Sequence, residues 1–531
     1  MLVLIVALAA ALRFWGLRWG LPNKLHDYSY HPDEFLTIGA AFATIYLRRT
    51  WNPGFYNYPS LYIYLSALAM AVGLGYGASA DAATIYLCAR VVTALMGTAA
   101  VLATWWAGRT LFGEAVGLLA ALVICVAPLH VQHSHFATVD VPSTLFVALA
   151  LGFAGLILKN GSRRDYILGG AMAGLAAGTK YNAGLVLLSI VAAHFLREGA
   201  KLGSLKSGRL WGSIGCALGA FVISTPGSVF ATKQFLHGLT YEMRHAAEGH
   251  GLVFAGTGNG FVYTFASSLW EGLGWTLAIL VPLAVIWAIS KRDRTCLMLL
   301  AFAAPYYALI SASHVRFARY VLPLFPVLAI LIGWLTVDWR ARLCSRKPGV
   351  VLIRGLWTML CALCLWTALQ LSFLIDAPFT RSDPRDVAAR WMFNHVPKGS
   401  TIGVIDWPWF YSPPLSRDFG FGTLPQRQQA ARKAPYRLTV LGLHPAGAQA
   451  PAWIVVSDFE TFDAQRLEHD TSLAESDRAQ VDRVLRVLAL VRSAYPERAE
   501  FGGPTAALYG PFLPHDMRYP DPTITIYERG R

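Results

Sequence analysis

Residues 141–158 read VPSTLFVALALGFAGLIL, with Asp140 before them and Lys159, Arg163 and Arg164 after. An α-helix needs roughly 20 apolar residues to cross a bilayer, and this run is of that order. It has an acid at one end and bases at the other. Lys and Arg collect in the cytoplasmic loops of membrane proteins, so the run reads as a membrane helix with its basic end inside and Asp140 outside. Similar runs recur at 1–17, 59–79, 88–107, 114–132, 166–179, 181–197, 209–228, 267–289, 296–312, 319–337 and 352–374. Composition agrees. Hydrophobic residues make up 55% of the chain and charged residues 14%, with a mean hydropathy of +0.44, whereas soluble proteins carry roughly a quarter charged residues.

Basic clusters order these runs. They comprise Arg109; Lys159, Arg163 and Arg164; Arg197, Lys201, Lys206 and Arg209; Lys291, Arg292 and Arg294; and Arg340, Arg342, Arg346, Lys347 and Arg354. They fall at every second connection, as cytoplasmic loops should. The 130–140 connection, the 230–265 loop and the chain beyond about 375 are then outside. The parity requires that 59–79, which opens at Tyr58-Pro59 and holds Gly73, Gly75 and Gly77, be re-entrant or interfacial. The expectation is a polytopic α-helical protein with about eleven full spans, integral to a bacterial inner or plasma membrane. Its membrane part is 1–375, with a first outer loop at 18–58. Residues 376–531 form a small extracytoplasmic α/β domain, with a helix opening at Asp383-Pro384. Strands are expected at 401–405, 438–442, 453–456 and 523–527, and a helix near 473–494.

The net charge of +14 follows from the topological bias, and no basic stripe with interleaved aromatics points to nucleic acid. The seven cysteines lie in or beside the apolar runs, Cys361 and Cys364 within one of them, which fits small core residues and implies no disulfide framework. The segment MLVLIVALAAALRFW (1–15) lacks a basic leader, and Arg13, Phe14 and Trp15 look like an interfacial anchor, so it reads as a retained first span.

Tyr30-His31-Pro32-Asp33-Glu34 stands in the first outer loop. Two carboxylates at a helix start stabilise its dipole; acids at membrane level are also candidates for chemistry. Asp140, in H-S-H-F-A-T-V-D-V-P, is an N-cap or a second acid on the same face. Lys180, in A-G-T-K-Y-N-A-G, and Arg316 and Arg319, in S-H-V-R-F-A-R-Y-V-L-P, lie outside against the positive-inside bias. Snorkelling explains them, as does a cationic clamp for phosphate. Glu242, His245, Glu248 and His250 fall on the 230–265 loop. His245, His250 and Glu248 are a candidate divalent-metal set, or a solvated turn at Gly249 and Gly251. His31, His133 and His135 are open in the same way.

Y-H-P-D-E, Y-P-S-L-Y-I-Y-L, H-F-A-T-V-D-V-P, G-T-K-Y-N and R-Y-V-L-P-L-F-P, in that order over about 1–375, resemble the GT-C superfamily of membrane glycosyltransferases. The nearest branch is the polyprenyl-phosphate-sugar-dependent group that includes protein O-mannosyltransferases and lipid A aminoarabinose transferases. The resemblance implies a donor sugar on a polyprenyl phosphate and a lipid, glycan or protein acceptor, with membrane lipids around the enzyme. It implies catalytic Asp33, Glu34 and Asp140, and a donor phosphate met by Lys180, to which Arg316 and Arg319 are added. His31, Tyr58 and Tyr181, within or beside the motifs, are assigned to substrate. Asn57-Tyr58 stands where the aminoarabinose branch has an acidic-basic pair, a departure that leaves the acceptor, the sugar and any metal held by that pair open; a divalent metal ion is the one candidate cofactor. The reaction implied is inverting glycosyl transfer outside the cytoplasm. A lipid or glycan transporter or flippase is the alternative, but it predicts repeated halves and charges buried mid-span.

Overall fold

The computed structural model describes residues 1–47, 50–74, 81–343, 348–418, 422–442, 450–502 and 513–530. Gly75 and Gly77, the end of the 59–79 run, and Cys344, Arg346 and Lys347 lie outside the described residues.

The first part of the chain is a helical bundle: α1 (Leu2–Phe14), α2 (Pro32–Phe42), α3 (Leu61–Leu74), α4 (Ala82–Phe112), α5 (Glu114–Cys125), α6 (Pro128–His133), α7 (Asp140–Lys159), α8 (Arg163–Thr179), α9 (Leu187–Glu198) and α10 (Gly208–Ser224). It continues with α11 (Gly227–Phe230), α12 (Thr232–Glu248), α13 (Gly260–Tyr263), α14 (Trp270–Leu273), α15 (Trp275–Lys291), α16 (Arg294–Ala312), α17 (Phe325–Arg342) and α18 (Pro348–Asp376). Among the described residues five helical segments are long and apolar enough to cross a membrane, and five more are apolar but shorter. The 114–132 run is broken. Its helix ends at Cys125 and Pro128, which cannot donate to the preceding turn, starts a second one.

Two neighbours pack without side chains between them. Gly170, Gly174 and Gly178 recur every fourth residue on α8, one above another on a single face. A Cβ at these positions would lie 2.1 Å from the Ser213 carbonyl, 2.2 Å from that of Ala217 and 2.0 Å from the Ser224 hydroxyl, so α8 and α10 approach backbone to backbone. Gly174→Ala is expected to destabilise the protein by about 1–3 kcal/mol through overpacking, seen as a lower melting temperature in detergent. An unchanged melting temperature would mean the seam opens freely.

The 230–265 stretch corrects an expectation. It is not a plain loop, because Thr232–Glu248 is helical. Phe235, Gly238, Glu242 and His245 fall on one face at helical spacing, with Phe235 and Gly238 buried. A Cβ at Gly238 would meet the Tyr56 backbone at 2.5 Å, so this helix lies against the first loop. That periodicity is hidden in sequence because half its face is polar.

Beyond α18 come α19 (Pro384–His395), α20 (Leu424–Ala431), α21 (Asp458–Arg466) and α22 (Glu475–Ala494), with strands β1 (Thr401–Val404), β2 (Arg437–Val440), β3 (Trp453–Ser457), β4 (Glu497–Phe501) and β5 (Ile524–Glu528). The sheet order is β2-β1-β3-β5-β4. β1 pairs parallel with β2 and β3, while β5 runs antiparallel to β3 and β4. β4, reading ERAEF, has no strand expected in sequence because it is largely polar and exposed. The sheet module docks on the bundle through polar ties. Arg466 donates to the carbonyls of Leu252 and Ala255, and Gln132 to that of Met517.

Candidate active site

At α2, His31 is extended and Pro32 supplies the first helical residue, its fixed φ suited to a helix start. Consecutive helical residues project about 100° apart, given 3.6 residues per turn. Asp33 and Glu34 therefore cannot face the same space. Glu34 points inward and is fully buried. Its Oε1 accepts from Arg90 Nε at 2.8 Å and from the Ala137 amide at 2.6 Å. Its Oε2 accepts from Arg90 Nη2 at 2.8 Å and from the Ser29 hydroxyl. Arg90 also donates to the carbonyls of Leu17 and Trp19. Glu34, expected beside Asp33 as a catalytic acid, is turned to the interior instead. Every acceptor position it offers is used to tie the first loop to α4 and to the turn before α7.

Asp33 points the other way, with its side chain 24% exposed, and Oδ2 lies 2.9 Å from Arg319 Nη2. Arg319 sits on the 3₁₀ turn Ala318–Leu324 that leads into α17. Its guanidinium also lies 3.8 Å from Asp140 Oδ2 and 3.4 Å from Asp516 Oδ2. Asp516, from the sheet module, accepts both the Ala318 and Arg319 amides at 3.0 Å, which caps the turn and aims the arginine. Lys180, just past α8, donates to Asp140 Oδ1 at 2.6 Å and stands 4.6 Å from the Tyr320 ring centre. Asp140 starts α7, so α2, α7, α8, the turn before α17 and the sheet module meet at one end of the bundle. Three carboxylates share two cations there.

Asp33 and Arg319 open onto a cavity of about 310 Å³, lined also by Tyr58, Glu242, His245, Tyr320 and Tyr519. Burial raises the Asp33 carboxyl above the usual range, reinforced by Asp140, Asp516 and Glu34 and opposed by Arg319. Burial, then the charge of Asp33, pushes Glu242 up to about 7. Asn57, beside Tyr58, hydrogen-bonds that carboxyl. Burial lowers His245 and takes His250 down to about 4. Burial thus pushes the acids and histidines around Asp33 toward their uncharged forms.

Other expected residues stand elsewhere. Arg316 donates to Thr257 Oγ1 and the Gly258 carbonyl at 2.8 Å and to the Ser313 carbonyl at 3.0 Å. It ties down a loop rather than joining the clamp, because the segment before Ala318 is not helical and turns it away from Arg319. His31 does not line the cavity. It is buried with its ring 4.3 Å from that of Phe136 and 5.2 Å from that of Tyr519. Tyr181 donates to the Tyr56 carbonyl at 2.8 Å and supports the loop that carries Tyr58. Lys180 and Asp140 lie beneath Arg319, next to the cavity. His245 and His250 come together with ring centres 5.2 Å apart, while Glu248 is exposed. Among the described residues no group of three or more His, Cys, Asp or Glu is arranged to hold a metal, so the proposed set of His245, His250 and Glu248 is not assembled. Glu248 ends α12 in solvent, and His250 lies beyond the break at Gly249, so the three side chains do not converge.

Two residues escape sequence reasoning. Asp516 lies in a segment read as part of a separate soluble domain, with no local signal. Arg90 had one: it is a lone charge inside an apolar run, which marks a buried partner or a function.

Residues 82–228 match the family described as Dolichyl-phosphate-mannose-protein mannosyltransferase. ArnT from Cupriavidus metallidurans in its apo state is similar in structure, with a TM-score of 0.55 and 15% identity over 99% of this chain and 97% of that one. The same protein bound to undecaprenyl phosphate matches at 0.53 and 16% identity over the same shares. The Archaeoglobus fulgidus oligosaccharyltransferase matches at 0.52 and 14% identity, over 91% of this chain and 72% of that one. No curated protein matches by sequence. Identities this low speak for architecture alone: the chain shares the GT-C fold with ArnT and with the oligosaccharyltransferase.

Proposed function

We propose that the protein transfers a sugar from a polyprenyl phosphate to an acceptor hydroxyl, with inversion, on the extracytoplasmic face of a membrane. The observation that carries this is Asp33, a partly exposed carboxylate in a cavity wall, paired with Arg319 above the Lys180–Asp140 pair. Lys159 ends α7, Arg163 and Arg164 open α8, and Arg340 and Arg342 lie in the last turn of α17, all at the opposite side of the bundle. Read by the positive-inside rule, the cavity faces away from the cytoplasm. ArnT of C. metallidurans is known in a form bound to undecaprenyl phosphate, which supports a lipid of that class as the donor.

The chemistry follows from charge. Donor phosphate oxygens compete with Asp33 and Asp140 for Arg319 and Lys180, and a guanidinium drawn onto phosphate leaves Asp33 free. Asp33 then takes the proton of the acceptor hydroxyl. The acceptor oxygen attacks the anomeric carbon as the bond to phosphate oxygen breaks. The developing negative charge on the departing lipid phosphate is held by Arg319 and Lys180. The test is transfer from radiolabelled polyprenyl-phosphate sugars of both anomers in proteoliposomes. A product of inverted configuration supports the reading, whereas retained configuration or no transfer from any donor overturns it.

The pH profile provides a second check. Asp33 must be ionised to act, and its pKa is raised, so kcat/KM falls as pH drops through a midpoint above the ordinary Asp value of about 4. Arg319 opposes that rise. In Arg319→Gln, besides a lower rate, the acidic limb should therefore move to still higher pH. A limb that stays put would detach Asp33 from the titration.

A further inference from the structure

A second cavity, of about 420 Å³, lies where the sheet module meets the loop His250–Val253. It shares His250, Trp409 and Tyr411 with the Asp33 cavity, so the two spaces adjoin. Its position has a topological cause. The chain passes from β1 to β2 on one side, then crosses to β3 on the other, and all three strands are parallel. The connections leaving β1 and β3 therefore diverge, opening a crevice at the carboxyl ends of those strands, where open α/β sheets bind their ligands. Ile405, Asp406 and Trp407 follow β1 into this crevice, and Phe459, Glu460 and Asp463 follow β3.

The residues in the crevice select a chemistry. A phosphate site at such a turn needs glycines for close backbone approach to the anion. Here the turn reads Asp406-Trp407-Pro408-Trp409-Phe410-Tyr411, which fills that space with rings. Arg427 donates to the Trp407 carbonyl at 3.0 Å and lies 4.5 Å from the Trp409 ring centre. Arg483 donates to the Ile405 and Leu441 carbonyls, at 2.9 and 3.1 Å. The turn is thereby held rigid before any ligand arrives. Tyr411 stacks on Phe459, with ring centres 4.5 Å apart. Buried Arg427 Nε and His515 Nδ1 have no partner, and buried polar groups normally have one. Burial pushes the Glu460 carboxyl up to about 8, so at neutral pH it is mainly protonated and both donates and accepts. Flat aromatic faces with uncharged and bidentate polar groups at their edges suit a pyranose ring, whose C–H faces are apolar and whose hydroxyls are both donors and acceptors. The volume is within the usual range for small ligands, about 300–1,000 Å³.

We infer that this crevice between β1 and β3 binds a sugar residue of the acceptor, stacked on the Trp407–Trp409 turn. The acceptor is then a glycan or glycolipid whose reacting hydroxyl reaches Asp33 past Trp409 and Tyr411. This rests on the glycosyl-transfer reading above, and the experiment separates the two. The purified full-length protein in nanodiscs is applied to an immobilised glycan array with hexose, N-acetylhexosamine, pentose, deoxyhexose and uronic acid ends. In parallel, kinetics are measured with membrane extract as acceptor. The expected result is binding to at least one class, weakened at least tenfold in Trp407→Ala, largely restored in Trp407→Phe and kept in Asp33→Asn. Trp407→Ala should also raise the acceptor KM at least tenfold with little change in donor KM. Transfer by a protein that binds no glycan, with acceptor KM unchanged in Trp407→Ala, overturns the crevice and leaves the reaction standing. Glycan binding without any transfer overturns the reaction and the acceptor role with it. Peptide acceptors modified with no effect of Trp407→Ala also overturn it.

Discussion

Asp33→Asn is expected to lower the transfer rate by about 10²–10⁴-fold, the usual contribution of a positioned general base, while leaving insertion and melting temperature near those of the wild type. The amide keeps the shape of the carboxylate and cannot take a proton. Asp33 is partly exposed and its principal partner is Arg319, which retains Asp140 and Asp516, so no charge is stranded in the core by the change. Donor affinity should hold or improve, since the phosphate no longer competes with Asp33 for the guanidinium. Single-turnover rates and donor binding measured on the same preparation separate these effects. A rate within about tenfold of wild type would remove Asp33 from the reaction.

Glu34→Ala should fail in a different way. It leaves Arg90, fully buried, facing an apolar gap, and breaking one side of a buried pair costs about 3–5 kcal/mol, a large share of the 5–15 kcal/mol typical of a whole domain. The first loop, α4 and the turn before α7 lose their common tie, so a steep drop in melting temperature and in yield is expected. Removing both charges in a Glu34→Leu, Arg90→Met double variant should recover part of the loss, because well-packed apolar groups often replace a buried pair at little cost. If Glu34 were instead the catalytic acid, Glu34→Gln would fold like the wild type and lose only turnover. A thermal melt beside the activity assay distinguishes the two.

What could be read from sequence depended on whether a signal was local. Many of the apolar helices, α7 and α17 among them, and strands β1, β2, β3 and β5 were legible because apolar runs and short β-branched runs are contiguous. β4 and α12 were not, as each carries more polar than apolar residues. Asp33, Asp140, Lys180 and Arg319 were singled out by motif and by charges on the unexpected face, and the structure brings them together. Adjacency concealed the division of labour. Asp33 and Glu34 look equivalent in a list of residues, and only the helix turn sends one to the cavity and the other to Arg90. Arg316 and Arg319 diverge for a similar reason, since the backbone changes from an extended segment to a 3₁₀ turn between them. Asp516 had no signal at all, because its partner is 197 positions away.

The tie between Asp516 and the turn at Ala318–Arg319 also has a consequence in time. A nascent chain inserts its helices in order, and Asp33, Asp140, Lys180 and Arg319 have all left the ribosome well before residue 516. Until the sheet module is made and folded, the turn lacks its Asp516 cap and Arg319 is held by Asp33 and Asp140 alone. A ribosome that stalls within the sheet module therefore leaves a bundle whose Ala318–Arg319 turn is uncapped, and which, on the proposed reaction, should transfer poorly.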